Sequence, residues 1–270
     1  MRPLEEQTIL ITGATDGLGR RVAEDLAARG ARIIVHGRSR ERAETTVDAI
    51  RTATGNERVE PALADLASLA QVRELADDVR RRCARLDVLV SNAGIGTREP
   101  GDGARVQSED GHELRFAVNY LAGFLLTHEL LDLLRRSTPA RIVHVASAGQ
   151  MAIDFDDVML ERDYSGVRAY CQSKLAQIMF TFELAERLGD GAGVTVNALH
   201  PATYMPTKIV PSPISSLDDG VQATLRLVAE PSLDEVSGRY FNGERESDAH
   251  PQAYDPGARR QLRELSERLT

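Results

Sequence analysis

Tryptophan is absent from this chain of 270 residues, and the aromatic residues together make up only 4%. That excludes an aromatic platform for stacking nucleobases. A basic face is missing as well: the formal net charge is −8, whereas a general nucleic-acid binder needs an excess of Lys and Arg. No apolar run approaches the ~18 residues of a membrane-spanning helix. The charged start, Met1 to Gln7, lacks a signal-peptide core. Cysteine is scarce: Cys83 and Cys171 are the only two, both fall in helical patterns, and they read as reduced thiols of a cytoplasmic protein. The six histidines do not recur at metal-ligand spacing with Cys or carboxylates, so no metal site is expected. What remains, 42% hydrophobic and 27% charged residues, suits one large soluble domain with a sizeable core.

The first pattern along the chain is a strand, Thr8 to Thr12, running straight into Gly13-Ala14-Thr15-Asp16-Gly17-Leu18-Gly19. A helical face follows, Leu18, Val22, Ala23 and Leu26, closed by Gly30, and then a second strand, Ala31 to His36. A glycine turn between a strand and a helix points backbone N–H groups and a helix N-terminus at an anion such as a phosphate. A lone glycine cluster is no more than a tight turn. Here the strand before it, the helix after it and the second strand behind it supply the context of a dinucleotide site. The spacing is Gly-x3-Gly-x-Gly rather than the better-known G-x-G-x-x-G.

The second strand ends in His36-Gly37-Arg38-Ser39-Arg40, with two arginines and no carboxylate. An acidic residue there would bond the 2′-hydroxyl of NAD, whereas a guanidinium suits a 2′-phosphate by charge and fork geometry. NADP(H) is therefore favoured over NAD(H), with Arg38 as the main contact; the alternative is a solvated loop arginine. Asp16, inside the glycine turn, works against this preference.

The alternation continues with a polar helix from Glu41 to Thr54 and a weaker strand, Arg58 to Ala62, followed by Ala64-Asp65-Leu66. Ser68 is the expected N-cap of a helix from Leu69 to Cys83. The strand Leu86 to Val90 ends in Ser91-Asn92-Ala93-Gly94, small residues that let a backbone approach a ligand. Arg98 to His112 reads as a surface loop with little chemistry. A long helix from Glu113 to Arg136 carries Asn119 in an apolar setting, and the strand Arg141 to Ala146 ends at Ser147. The segment from Gly149 to Arg168 is an insertion whose acidic run, Asp154 to Asp157, lacks partner ligands and reads as a solvated loop. After the helix holding Tyr170 come a strand, Val194 to Leu199, and a Pro-rich segment at about 201–217 that could close as a lid. A helix from Leu217 to Ala229, a short strand from Gly238 to Phe241 and a terminal helix from Gly257 to Leu269 complete the pattern. The expected architecture is a single α/β domain, a Rossmann-type doubly wound parallel sheet of about seven strands flanked by helices, with ligands at the carboxyl ends of the strands.

Tyr170 and Lys174, in Ala169-Tyr170-Cys171-Gln172-Ser173-Lys174, are four apart and share a helix face. A phenol ionises near pH ~10, and an ammonium beside it favours the phenolate, so the pair suits proton transfer. By itself the pair is equally a packed Tyr beside a solvated Lys.

Taken together, Thr12-Gly13-x3-Gly17-x-Gly19, Asp65-Leu66, Asn92-Ala93-Gly94, Asn119, Ser147, Tyr170-x3-Lys174 and the Pro201 turn resemble the short-chain dehydrogenase/reductases over essentially the whole length. Within that family, Phe116 to Thr127, Ala169 to Ala176 and the long gap from Ser147 to Tyr170 are most similar to the retinol-dehydrogenase-like and protochlorophyllide-reductase-like branch. The resemblance implies a catalytic set of Asn119, Ser147, Tyr170 and Lys174. Tyr170 would exchange the proton, Lys174 would hold the nicotinamide ribose and tune Tyr170, Ser147 would bond the substrate oxygen, and Asn119 would hold a water linking Lys174 to solvent. It implies cofactor contacts from Gly13, Thr15, Asp16, Gly17, Leu18, Gly19, Asp65, Leu66, Asn92, Ala93, Gly94, Pro201 and Thr203, besides Tyr170 and Lys174. Thr207 would sit near the carboxamide, although Pro201 to Thr207 is one residue longer than the family's usual Pro-Gly turn. It also implies a homodimer or homotetramer built on the helices carrying Asn119 and Tyr170.

Hydride arriving at a carbonyl carbon leaves an oxygen that needs a proton, so such a site needs a titratable donor, a tuning cation and a neutral oxyanion donor. Tyr170, Lys174 and Ser147 meet those needs. The expected activity is NADP(H)-dependent hydride transfer to or from a small-molecule apolar alcohol, aldehyde or ketone, in a pocket lined by Met151, Ile153, Tyr204 and Met205. The rival readings are a sensor or scaffold that binds NADP(H) without catalysis, and light-driven reduction of a porphyrin-type double bond.

Overall fold

A computed structural model describes the whole chain except residues 99, 102, 204 and 206–213. Its centre is one sheet in the order β3-β2-β1-β4-β5-β6-β7-β8. The strands are β1 (Thr8–Ile11), β2 (Arg32–Gly37), β3 (Val59–Leu63), β4 (Val88–Ser91), β5 (Ala140–Val145), β6 (Val194–His200), β7 (Arg239–Asn242) and β8 (Arg245–Glu246). Neighbours from β3 through to β7 pair in parallel. The sheet has eight strands rather than about seven, because β8 turns back and pairs antiparallel with β7. At two charged residues, β8 is too short to show a strand period.

Strand side chains alternate between two cores. Leu10, Ile34, Leu89, Ile142 and Val196 face α3 (Leu69–Arg82), α4 (Ala122–Arg136), α5 (Gly166–Leu188) and α7 (Pro256–Leu269). Ile9, Ile11, Ile33, Val35, Val88, Val90 and Val143 face α1 (Gly17–Ala28), α2 (Arg40–Thr54) and α6 (Leu217–Ala229). Burial on both faces explains why the strands read as continuous apolar runs.

Local chemistry sets the helix starts. Asp16, Ser39, Ser165 and Asp255 cap their helices with side-chain oxygens, and Ser216 with Asp219 forms a capping box. Ser68 does occupy the N-cap of α3, but its side chain makes no cap bond. Asp110 instead accepts from Leu69 N at 2.9 Å, which ties the 98–112 loop to α3. The helix expected from Glu113 to Arg136 is interrupted by a π-helical segment, Phe116–Leu121, with Asn119 inside it.

The chain switches sides between β1 and β4. The carboxyl ends of β1, β4, β5 and β6 therefore open onto one crevice, the position where such sheets take ligands.

Candidate active site

The glycine turn after β1 is packed backbone to backbone. Gly13 has φ +65°, and a Cβ there would lie 2.8 Å from Ala93 Cα. A Cβ on Gly19 would fall 2.5 Å from Asn92 Nδ2 and 2.6 Å from Gly13 O. These glycines keep the turn against the Asn92-Ala93 strand end, and Asn92 Nδ2 donates to Thr12 O at 2.8 Å. Thr12 Oγ1 accepts from Asn92 N and Ala93 N at 2.9 and 3.0 Å, closing the joint between the ends of β1 and β4. The first-turn amides of α1, which include Leu18 and Gly19, have no intrahelical acceptors and start beside this cradle. A pyrophosphate fits such a surface by shape and by dipole.

His36, in sequence no more than the end of a strand, braces the same turn. Its Nδ1 accepts from Gly13 N at 3.2 Å and its Nε2 lies 3.1 Å from Ala64 O. A carbonyl only accepts, so Nε2 carries the hydrogen and the ring is neutral. Burial drives its pKa down to about 4. Beyond it, Arg38 is exposed at the end of β2 and, among the described residues, makes no hydrogen bond or ion pair. Arg42 Nη2 lies 3.3 Å from Asp16 Oδ2, so the acidic residue of the turn is already balanced by a cation.

At the end of β3, Asp65 Oδ1 accepts from Ala67 N at 2.9 Å, and Leu66 is buried in the core. Past β4, Asn119 fixes the backbone after Gly94. Its Oδ1 accepts from Ile95 N at 2.8 Å, and its Nδ2 donates to Ile95 O and to Ser173 Oγ at 3.2 and 2.9 Å. A π-segment widens one helical turn, a feature that concentrates at functional sites. Arg115, fully buried beside it, donates to Gly96 O, Thr97 O and the Tyr164 hydroxyl, and its ion pair with buried Glu113 spans 3.7 Å. The loop expected to carry little chemistry thus leads into a buried charge network that holds residues 96–97.

The catalytic candidates converge from β5 and α5. Gly149 follows Ser147, and a Cβ on it would lie 3.5 Å from Ser147 Oγ, 3.8 Å from Tyr170 Cε1 and 3.2 Å from Cys171 Sγ, so these three groups surround one point. Ser147 Oγ accepts from Gly149 N at 3.0 Å, which leaves its own hydrogen to donate. Tyr240 of β7 donates to Ser147 O at 3.0 Å, and burial pushes its pKa up to about 12.

Lys174 lies 5.8 Å from the centre of the Tyr170 ring. It is not the solvated lysine of the simpler reading: the residue is 4% exposed, and burial lowers its pKa to about 7. Its Nζ donates to Val145 O and Gln177 Oε1, each at 2.9 Å. The ammonium and Asn119 Oδ1 sit 3.5 and 3.3 Å from the point where a Gly94 Cβ would be, so the cofactor-side and catalytic-side residues share one wall.

The insertion between β5 and α5 is pinned by Gln172, which donates to Val158 O at 2.8 Å. Its acidic run satisfies its own backbone: Asp157 accepts from Glu161 N and Arg162 N, and Asp154 from Asp156 N. No group of metal-ligating side chains occurs among the described residues.

Of the four residues expected to line an apolar pocket, Ile153 is buried in the core instead, and Met205 packs on Gly220 of α6 beside Leu18. Met151 is 44% exposed, and its N–H reaches Cys171 O at 3.4 Å. Val167, one turn before Cys171 on α5, is 52% exposed. Tyr204, Thr207 and most of the expected lid fall outside the described residues. Pro201 is buried, and Thr203 Oγ1 lies 3.0 Å from His200 Nε2. Both cysteines are free thiols, and no described helix is long and apolar enough to cross a membrane. On the outer side, α7 covers part of the helices that carry Asn119 and Tyr170: Ser266 bonds the Tyr120 hydroxyl at 2.7 Å and Arg263 meets Glu183 of α5 at 3.2 Å.

The chain is similar in sequence and fold to known proteins. The family model for short chain dehydrogenases matches residues 7–213. Human retinol dehydrogenase 13 is 39% identical, over 97% of this chain and 84% of its own. An uncharacterized protein from Mycobacterium paratuberculosis superposes with a TM-score of 0.79 at 31% identity, covering 98% of this chain and 93% of that one. The active-site complex of Pseudomonas aeruginosa RhlG with NADP gives 0.72 at 26% identity, covering 90% and 97%. The chain belongs to the short-chain dehydrogenase/reductase family and is an NAD(P)-dependent oxidoreductase of alcohol and carbonyl groups.

Proposed function

We propose that the protein transfers hydride between NADP(H) and an apolar alcohol, aldehyde or ketone, with Tyr170 exchanging the proton. The observation that carries this reading is the convergence of the Tyr170 ring, the Ser147 hydroxyl and the buried Lys174 ammonium at the crevice, one wall away from the glycine turn. NADPH, when bound, supplies the hydride. Gly13, Gly17 and Gly19 let the backbone and the start of α1 approach the pyrophosphate, and Arg38 meets the 2′-phosphate while Arg42 neutralises Asp16. Ser147 donates to the substrate oxygen. Tyr170 delivers its proton there as charge develops, and Lys174 stabilises the phenolate left behind.

An apolar substrate is supported by the exposed side chains of Met151 and Val167 beside Cys171, and by relatives named as retinol dehydrogenases. The test follows NADPH and NADH consumption against a panel of aldehydes and ketones that includes retinaldehyde. Tyr170→Phe should abolish turnover while NADPH still binds. Normal turnover in that variant removes the mechanism, and tight NADPH binding without oxidation of any panel member favours a non-catalytic sensor.

A further inference from the structure

Only two of the 33 basic residues are lysines, Lys174 and Lys208. Arginine supplies nearly all the positive charge, and Lys174 is enclosed beside the crevice. A buried ammonium has three N–H groups to satisfy, and any left unpaired disfavours its charged form. Two are committed, one to the backbone carbonyl of Val145 and one to the side-chain carbonyl of Gln177. Gln177 is itself 3% exposed and sits one turn along α5 on the face of Lys174.

We propose that Gln177 is a positioning residue for the reaction, whose side-chain carbonyl holds the Lys174 ammonium charged and in place with one N–H left for the crevice; this rests on the function proposed above.

Among the described residues, no other side chain accepts a hydrogen bond from Lys174. From β5, His144 lies against Phe180 of α5, with Nδ1 2.8 Å from Thr181 Oγ1. Thr181 spends its hydrogen on Gln177 O at 2.9 Å, so His144 Nδ1 carries the proton and its Nε2 is a buried atom without a partner. Burial and the charge of Lys174 push His144 down to about 3, so it is neutral. From β6, His200 is shifted down by the same two causes. Tyr170 shares the helix, and Tyr240 of β7, which faces Tyr170, stays protonated. Among the described residues no carboxylate pairs with Lys174. Gln177 therefore supplies the side-chain acceptor that opposes the burial of this cation. A leucine in its place would leave an ammonium held by one backbone carbonyl. A glutamate would set a carboxylate against it.

The test is a titration of the cofactor-free protein labelled with 13C-lysine, read by NMR. Lys208→Arg assigns the two signals. In Gln177→Leu the Lys174 midpoint should fall by about one pH unit, the size of one lost hydrogen bond to a charged group. In Gln177→Glu it should rise. The alkaline limb of NADPH-dependent turnover should move the same way in each variant. Shifts of opposite sign are not what general damage to the fold produces. Midpoints equal to that of the parent in both variants overturn the proposal; if Gln177→Leu does not fold, the direction of the Gln177→Glu shift decides. The titration needs no turnover, so it stands or falls separately from the Tyr170→Phe assay.

Discussion

Replacing His36 by glutamine isolates the cost of keeping a neutral imidazole under the glycine turn. The native ring accepts from Gly13 N through Nδ1 and donates to Ala64 O through Nε2. A glutamine amide offers a carbonyl acceptor and an NH2 group that can donate, so His36→Gln retains both functions and removes the titration. The folded pKa is depressed to about 4 from an ordinary value of 6.5. Between those values the unfolded chain binds a proton that the folded one refuses, so stability falls as pH drops from 6.5 towards 4. The linkage integral makes the loss from pH 7 to pH 5 about 2 kcal/mol, and about 3 kcal/mol by pH 4. His144, also held neutral by burial, loses stability in the same direction, but its share is common to both proteins and cancels in their difference. Urea unfolding of the two proteins at pH 7, 6 and 5 measures that difference. The parent should lose about 2 kcal/mol relative to His36→Gln between pH 7 and pH 5. A difference that stays constant with pH would refute a neutral, buried His36.

Arg38→Ala should weaken NADPH binding by about 10- to 100-fold, the size of lost charge-assisted hydrogen bonds, and leave NADH nearly unchanged; equal effects on the two cofactors, measured by fluorescence titration, would remove Arg38 from the 2′-phosphate. Gly19→Ala improves helix propensity by ~1 kcal/mol, yet its Cβ would collide with Asn92 Nδ2 and Gly13 O. Overpacking of about 1–3 kcal/mol should win, lowering both the melting temperature and NADPH affinity. A stabilised variant with normal affinity would show that the turn has room to move.

What could be read from the sequence was chemistry carried by consecutive residues. The glycine turn, the place of Ser68 at the start of α3, the small residues after β4 and the pairing of Tyr170 with Lys174 all lie within one or two turns of chain. Bonds between distant positions left no such trace. His36 reaches Gly13 across 23 residues, and Tyr240 reaches Ser147 across 93. Glu113 and Arg115 stand two apart, a spacing that puts them on different helix faces, so nothing marked them as partners of Tyr164. Ile153 looked like a pocket residue because its loop is irregular, but packing drew it into the core. The burial of Lys174 is likewise a tertiary fact, and it is what separates the catalytic reading of the Tyr170 pair from the ordinary one.

That burial matters through what surrounds the cation as much as through what it touches. His144 and His200 are held neutral, and burial holds the Cys171 thiol and the Tyr240 phenol protonated by raising both above their ordinary values. Each would carry charge if it ionised, and each is kept from doing so by the same enclosure. The field of one ammonium therefore reaches the Tyr170 ring without competition from these neighbours, across protein rather than water, where Coulomb interactions are several-fold stronger. A second ionised group in that shell would compete with Lys174 for influence over the phenol. The uncharged wall of histidine, cysteine and tyrosine is thus part of how a single lysine tunes the proton donor.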